Sequence, residues 1–332
     1  MLSKCFSRYK KKSLLLILII IPKQFVDELV DIKNKKLFQC HLSERVKNTF
    51  EERTINYEDL NNSTLLRLNQ TQIASDKLGG KIIIFDMRTG SYLKKLVGHT
   101  SGVRSIIKVS KNLIASGSLD QLIKIWDLTT GKCINTLREH TQSVTCLIRI
   151  SDNQIISGGG DYRIIIWNIS RGKYLDTLMG HTDEIVCLVK LRKSLIASGS
   201  YDKSIMIWNI ASRKCLITLL GHSEGILCLN KINDNHIVSG GKEKIIKIWD
   251  YHTGNCIYYL VCFAKVSSLV KLCKTKIAVG CFDASIKILD LETKKCVKTF
   301  HGHTNVVTSL IKLSNIQIAS GSDNMIKIWE LK

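Results

Sequence analysis

The sequence predicts an all-β fold of seven similar four-stranded sheets, and three observations carry that expectation. Trp126, Trp167, Trp208 and Trp249 recur at one fixed interval, Leu289 and Trp329 continue the series with intervals one residue shorter, and Phe85 extends it upstream by the full interval. This period, in the range of about 40–45 residues, is that of a propeller blade built from four short strands. Within each interval, short apolar runs alternate with clusters of Gly, Ser, Asn and Asp, the pattern of half-buried strands joined by tight turns. The composition, 45% hydrophobic and 23% charged with one proline in 332 residues, is that of a globular chain. Seven positions in the series mean a seven-bladed β-propeller with a short, partly helical N-terminal extension.

Residues 1–22 form a basic and apolar segment: Leu14 to Ile21 is an unbroken apolar run closed by Pro22, with five basic residues before it and no acid. Eight residues cannot cross a bilayer, which takes about 20, so no integral membrane span is expected. Basic then apolar is the order of a signal peptide, but no small-x-small cleavage site follows the run, which argues against secretion. A mitochondrial presequence, a buried strand and non-native residues from a mis-called exon stay open. In residues 23–50, Phe25, Val26, Leu29, Val30, Leu37, Val46 and Phe50 are spaced as on one or two amphipathic helices, a docking segment.

The repeats occupy residues 51–332. Glu44, one full interval before Phe85, has no comparable strand around it, so no eighth repeat is expected. Each unit runs from a Gly-His pair through an apolar run, a Ser-Gly turn, a second run ending in Trp, a Thr-Gly-type turn and a final run. The last unit stops at Trp329-Glu330-Leu331-Lys332, where its third strand ends. Its fourth strand is therefore expected from residues 49–56, which would protect a sheet edge otherwise left unpaired.

Twelve cysteines include no CxxC pair and no Cys/His cluster at zinc-finger spacing, so neither a metal nor a cofactor is expected. Cys146, Cys187 and Cys228 recur in step with the tryptophans, and Cys133, Cys215, Cys256 and Cys296 recur in a second register. They read as small buried fillers kept reduced inside the cell, in the cytoplasm or alternatively the nucleus. The net charge is +21, which attracts acidic partners. The same Lys, Ile and Asn excess is also what an AT-rich genome produces without any binding role. Lys124, Lys247, Lys287 and Lys327 repeat on the third strands and are spread around the ring, whereas a nucleic-acid surface clusters its cations. No aromatic-rich RNA-binding signature accompanies them.

Gly98-His99, Ser116-Gly117, Asp120 and Ile125-Trp126-Asp127 resemble the repeat of the WD-repeat family, and the resemblance runs through residues 51–332. It implies blades fanned around a channel and a buried hydrogen-bond chain in each blade, since buried polar groups need partners. The complete chains would be His99, Ser116, Asp120, Trp126; His140, Ser157, Asp161, Trp167; and His181, Ser198, Asp202, Trp208. Blade five has His222, Ser239 and Trp249 with Glu243 in place of Asp, and blade seven has His303, Ser320, Asp323 and Trp329 with a turn one residue shorter. Blade six has Cys262, Val279 and Leu289 and keeps only Asp283. Blade one, with Glu58, Ser75, Gly79 and Phe85, has lost the chain too. A His-Ser-Asp trio suggests a hydrolase, but its recurrence from blade to blade makes it structural.

No P-loop, HExxH, GxSxG or Gly-rich dinucleotide loop is present, so an enzyme is not expected. Ile21-Pro22 followed by Phe25, Val26 and Leu29 resembles the opening of an F-box, although its later tryptophan is absent. The repeats are similar to those of F-box/WD-repeat substrate receptors, in which arginines of the upper face hold phosphopeptides through bidentate bonds. Here Arg104 matches one such position, while its equivalents are Thr145, Val186, Leu227, Ser267 and Thr308. At the turn position before the Asp stand Leu119, Gly160, Tyr201, Lys242 and Phe282. Arg104, Tyr201, Lys242 and Phe282 are thus the partner-binding candidates. The expected function is a non-catalytic protein-interaction scaffold or adaptor in a multiprotein complex, monomeric, docking peptides or proteins. The alternatives are a substrate receptor of a cullin-type ubiquitin ligase and an RNA-associated WD-repeat protein.

Overall fold

The structure, a computed structural model, describes residues 53–56, 60–322 and 325–331. Segments 1–22 and 23–50 of the expected extension, together with Glu58 and Asp323, lie outside the described residues. None of the described residues is helical, and no helix among them is long and apolar enough to cross a membrane.

Strand β1 (Arg53–Asn56) precedes the first blade. Blade one is β2 (Leu60–Arg67), β3 (Gln72–Lys77), β4 (Lys81–Asp86) and β5 (Tyr92–Leu96). Blade two is β6 (Val103–Lys108), β7 (Leu113–Ser118), β8 (Leu122–Asp127) and β9 (Cys133–Arg138). Blade three is β10 (Val144–Ser151), β11 (Gln154–Gly159), β12 (Ile164–Asn168) and β13 (Lys173–Leu178). Blade four is β14 (Ile185–Arg192), β15 (Leu195–Ser200), β16 (Ile205–Asn209) and β17 (Lys214–Leu219). Blade five is β18 (Ile226–Lys231), β19 (His236–Gly241), β20 (Ile245–Asp250) and β21 (Cys256–Val261). Blade six is β22 (Val266–Lys271), β23 (Lys276–Cys281), β24 (Ile286–Asp290) and β25 (Lys295–Phe300). Blade seven is β26 (Ser309–Lys312), β27 (Gln317–Ser322) and β28 (Met325–Glu330), completed by β1.

Each sheet is an antiparallel meander, and the expected ring closure is present: β1 pairs with β28 from Arg53 opposite Ile328 to Asn56 opposite Met325. The first strands of successive blades lie side by side, and β26 meets β2, so the ring closes around these inner strands. Because the strands alternate in direction, the loops entering the first strand and the turns between second and third strands share one end, called upper. The turns after the first and third strands share the lower end.

Seven apolar clusters, one between each pair of neighbouring blades, replace a single core. The repeat-marking residues Phe85, Trp126, Trp167, Trp208, Trp249, Leu289 and Trp329 each enter the cluster on the side of the preceding blade, except Phe85, which faces blade seven across the closure. All are 5% exposed or less, and each buried aromatic hides on the order of 150–250 Å². The second strand is buried on both faces, which explains its small residues. A Cβ on Gly117 would stand 2.5 Å from Val144, and one on Gly240 2.6 Å from Val266, so glycine lets the next blade's inner strand seat directly on the backbone. In blade one this place holds Asp76, fully buried, whose carboxylate accepts the Thr64 N–H at 3.0 Å. A β-bulge precedes the aromatic of the third strand in blades one to five, and its Leu289 counterpart in blade six, and bulges re-aim side chains.

Candidate functional site

The upper end is built on the buried hydrogen-bond chains. In blade two, the Trp126 indole N–H donates to Ser116 Oγ at 2.7 Å, His99 Nε2 lies 2.8 Å from the same oxygen, and His99 Nδ1 lies 2.8 Å from Asp120. A carboxylate only accepts, so Nδ1 carries the proton, Nε2 accepts from the serine hydroxyl, and every polar atom is satisfied. Blades three and four repeat the chain through His140, Ser157, Asp161, Trp167 and through His181, Ser198, Asp202, Trp208 at 2.6–2.9 Å. In blade five, Glu243 stands in for Asp: it pairs with His222, and Ser239 joins His222 at 2.6 Å to Trp249 at 2.8 Å. Burial acts to raise these carboxyls, but the hydrogen bonds outweigh it. Asp161 and Glu243 are brought down to about 2, and Asp120 and Asp202 are lowered as well.

Blade seven keeps His303, Ser320 and Trp329, at 2.6 and 2.7 Å, but His303 Nδ1 is buried with no hydrogen-bond partner among the described residues. Burial, with the Lys327 charge adding to it, pushes His303 down to about 4. In blade six the chain is absent as expected: Cys262 Sγ packs 3.7 Å from Cys281 Sγ, and Val279 and Leu289 are fully buried. Blade one holds Ser75 fully buried and Gly79 in a left-handed turn, φ 76°.

Above these chains, one backbone bond repeats around the rim. The residue before the Asp donates its N–H to the carbonyl just ahead of the inner strand: Leu119 to Gly102, Gly160 to Ser143, Tyr201 to Glu184, Lys242 to Gly225 and Phe282 to Lys265, all at 2.8–3.1 Å. This bond sets the candidate side chains at the upper edge. Tyr201 lies across Gly225 of the next blade, where a Cβ would stand 2.7 Å from its ring, and Lys242 Nζ sits 4.2 Å from the ring centroid. The contact is a cation–π pair. Glu184 joins them: burial and neighbouring Asp183 raise its carboxyl above the usual range, against the pull of Arg104 and Lys242.

The structure thus brings Arg104, Tyr201 and Lys242 into one electrostatic neighbourhood. Phe282, 43% exposed, stands a blade further on, with Lys265 Nζ 5.9 Å from its ring centroid. Glu184, Gly225 and Lys265 were not among the sequence candidates. Aligning the residue ahead of each inner strand (Gly102, Ser143, Glu184, Gly225, Lys265) is the signal that finds them. The cysteines in step with the tryptophans are fillers: burial pushes the Cys146 thiol up to about 12 and raises Cys187 and Cys228 likewise. Such thiols are protonated and unreactive. The second register is not buried, contrary to expectation: it falls on the outermost strands, where Cys133 and Cys296 are half-buried and Cys215 and Cys256 exposed. No group of three or more metal-ligating side chains occurs among the described residues.

The fold is that of solved WD40 propellers. The crystal structure of the WD40 β-propeller domain of Doa1 superposes with a TM-score of 0.77 at 21% identity, covering 84% of this chain and 96% of that one. No curated protein matches the sequence. A family model for the WD domain, G-beta repeat, matches residues 90–127. The WDR41 β-propeller model matches residues 133–323, more than half of the chain, and the chain therefore belongs to that family of WD-repeat propellers.

Proposed function

We propose that this propeller is a non-catalytic interaction scaffold that docks a protein partner on its upper rim. The observation that carries the reading is the Arg104, Glu184, Tyr201, Lys242 neighbourhood, in which a half-buried carboxylate and a cation-stacked aromatic are held by the backbone bonds of blades four and five. Exposed Leu119, Tyr162, Phe263 and Phe282 extend the same end with apolar surface. Aromatic and Arg side chains in a pocket with a polar surround are what interface hot spots are made of. The mixed charge suits a peptide or loop carrying both an acidic and an apolar group better than a phosphate alone.

The test is photo-crosslinking of full-length chain in cells, with the crosslinker at Phe282 or at exposed Tyr174 on an outer strand. A discrete partner at Phe282, lost in Tyr201→Ala/Lys242→Ala while the variant melts as wild type, is the expected result. Identical products from both positions overturn it. Cullin-type ligase subunits captured with the full chain but not with residues 51–332 would make the partner a ligase client. Their absence from both removes that reading and leaves the scaffold.

A further inference from the structure

At the lower end, one position near the end of the inner strand is a cation in all seven blades: Arg67, Lys108, Arg149, Lys190, Lys231, Lys271 and Lys312. Six of them reach one blade back to a backbone carbonyl of the inner-strand end. Lys190 donates to Ile150, Lys231 to Leu191 and Lys312 to Leu272, each at 2.5 Å, while Lys108 donates to Leu68, Lys271 to Ile232 and Arg67 to Leu313. Arg149 turns instead to its own turn, bonding Ser151 O and Asp152. The result is an annulus of cations around the lower mouth of the channel, bolted in place across six of the seven blade junctions.

A carbonyl satisfies a donor but does not neutralise its charge. Among the described residues, only Arg149 and Lys231 of the seven pair with a carboxylate, and those carboxylates, Asp152 and Asp234, are 96% and 79% exposed. The adjoining turns add Lys111, Lys193 and Lys274, and Arg192 ends β14. Four other aspartates of this end, Asp86, Asp127, Asp250 and Asp290, sit two strands further out and are engaged by backbone N–H groups of their own turns. Charge is thus sorted radially, positive at the axis, and a ring of like charges on a low-dielectric wall focuses the potential there.

We propose that this annulus binds a compact, soluble polyphosphate anion of the inositol-polyphosphate kind, seated on the channel axis. A ring, rather than a stripe across the face, fits a small ligand of high charge density. Of the exposed large apolar side chains among the described residues, only Ile316 lies in a turn between first and second strands, so neither base stacking nor an apolar anchor accompanies the charge there. The site is independent of the upper-rim reading.

The test is calorimetry of the full-length chain with inositol hexakisphosphate at physiological salt. One anion per chain is expected, with affinity falling as salt rises and weakened about tenfold or more in Lys108→Gln/Lys190→Gln/Lys271→Gln. The triple Lys→Arg variant, which keeps charge and reach, retains binding, as does Lys124→Gln/Lys247→Gln on the third strands. If the Gln variant fails to fold, a rise in wild-type melting temperature with the anion, preserved in the Arg variant, carries the test. No binding, equal loss in the third-strand control, or tighter binding of poly(U), of a decaglutamate peptide or of phosphoinositide vesicles overturns the proposal.

Discussion

In blade four a carboxylate, an imidazole, a hydroxyl and an indole stand in one line of hydrogen bonds; in blade six the same places hold Asp283, Cys262, Val279 and Leu289. The backbones nevertheless pair in the same register, with Ser198 opposite Met206 and Val279 opposite Lys287. What differs is the carboxylate. Asp202 is 8% exposed at the side chain, whereas Asp283, with no imidazole to meet, is 47% exposed and bonds Ser285, with Lys287 at 3.7 Å. Lys287 in turn donates to Cys262 O at 2.6 Å, taking up an acceptor next to the lost histidine. The polar chain is therefore one of two ways to fill a blade. A half-satisfied buried network costs more than an apolar one, and blade six avoids that cost by letting its remaining aspartate out to solvent.

The comparison is most open to attack at the third-strand residue. Trp208→Ala should cost about 3–5 kcal/mol and Leu289→Ala about 2–5 kcal/mol by urea unfolding, since both empty an inter-blade cluster. A wild-type midpoint for either would break the packing account. Next comes the hydroxyl. Ser198→Ala strands both His181 Nε2 and the Trp208 N–H and should cost about 2–4 kcal/mol, whereas Val279→Ala loses two methyl groups and no hydrogen bond, about 1–2 kcal/mol. Equal losses would show that the polar chain adds nothing beyond volume.

A smaller difference is expected at the carboxylates, where Asp202→Asn costs about 1–2 kcal/mol. Asp283→Asn stays within about 0.5 kcal/mol. A further difference, in blade seven, is read by pH. The unfolded histidine takes up its proton near its ordinary value, but folded His303 does not until about 4. Its contribution is complete above the unfolded value and is lost as pH falls from about 6.5 toward 4. Melting temperature should decline through that window, and His303→Gln should flatten part of the decline; an unchanged slope would refute the assignment.

The blade count was legible because each aromatic fills the same hole between neighbours, so its spacing survives in the chain. The closing strand was legible as a deficit, one strand short at Trp329. The left-out features are those made between blades. Gly225 matters because Tyr201 of the previous blade lies on it, a relation that no local pattern carries. Lysines of the third strands look dispersed along the sequence, and so do Arg67 to Lys312. Only the ring converts the latter, each a whole repeat from the next, into neighbours around one axis.

The pairing of β1 with β28 also sets a clock for folding. β1 leaves the ribosome before the first blade, yet its partner is made only after some 270 further residues, on the order of ten seconds to a minute of synthesis. Through that interval the cluster shared by blades seven and one, built on Ile55 and Phe85, lacks its four buried members from blade seven, Leu313, Ala319, Ile326 and Ile328. A nascent chain thus carries an open apolar seam at its leading blade. Its vulnerability to chaperones, proteases and other nascent copies is greatest just before the last strand emerges, when every blade but one is complete.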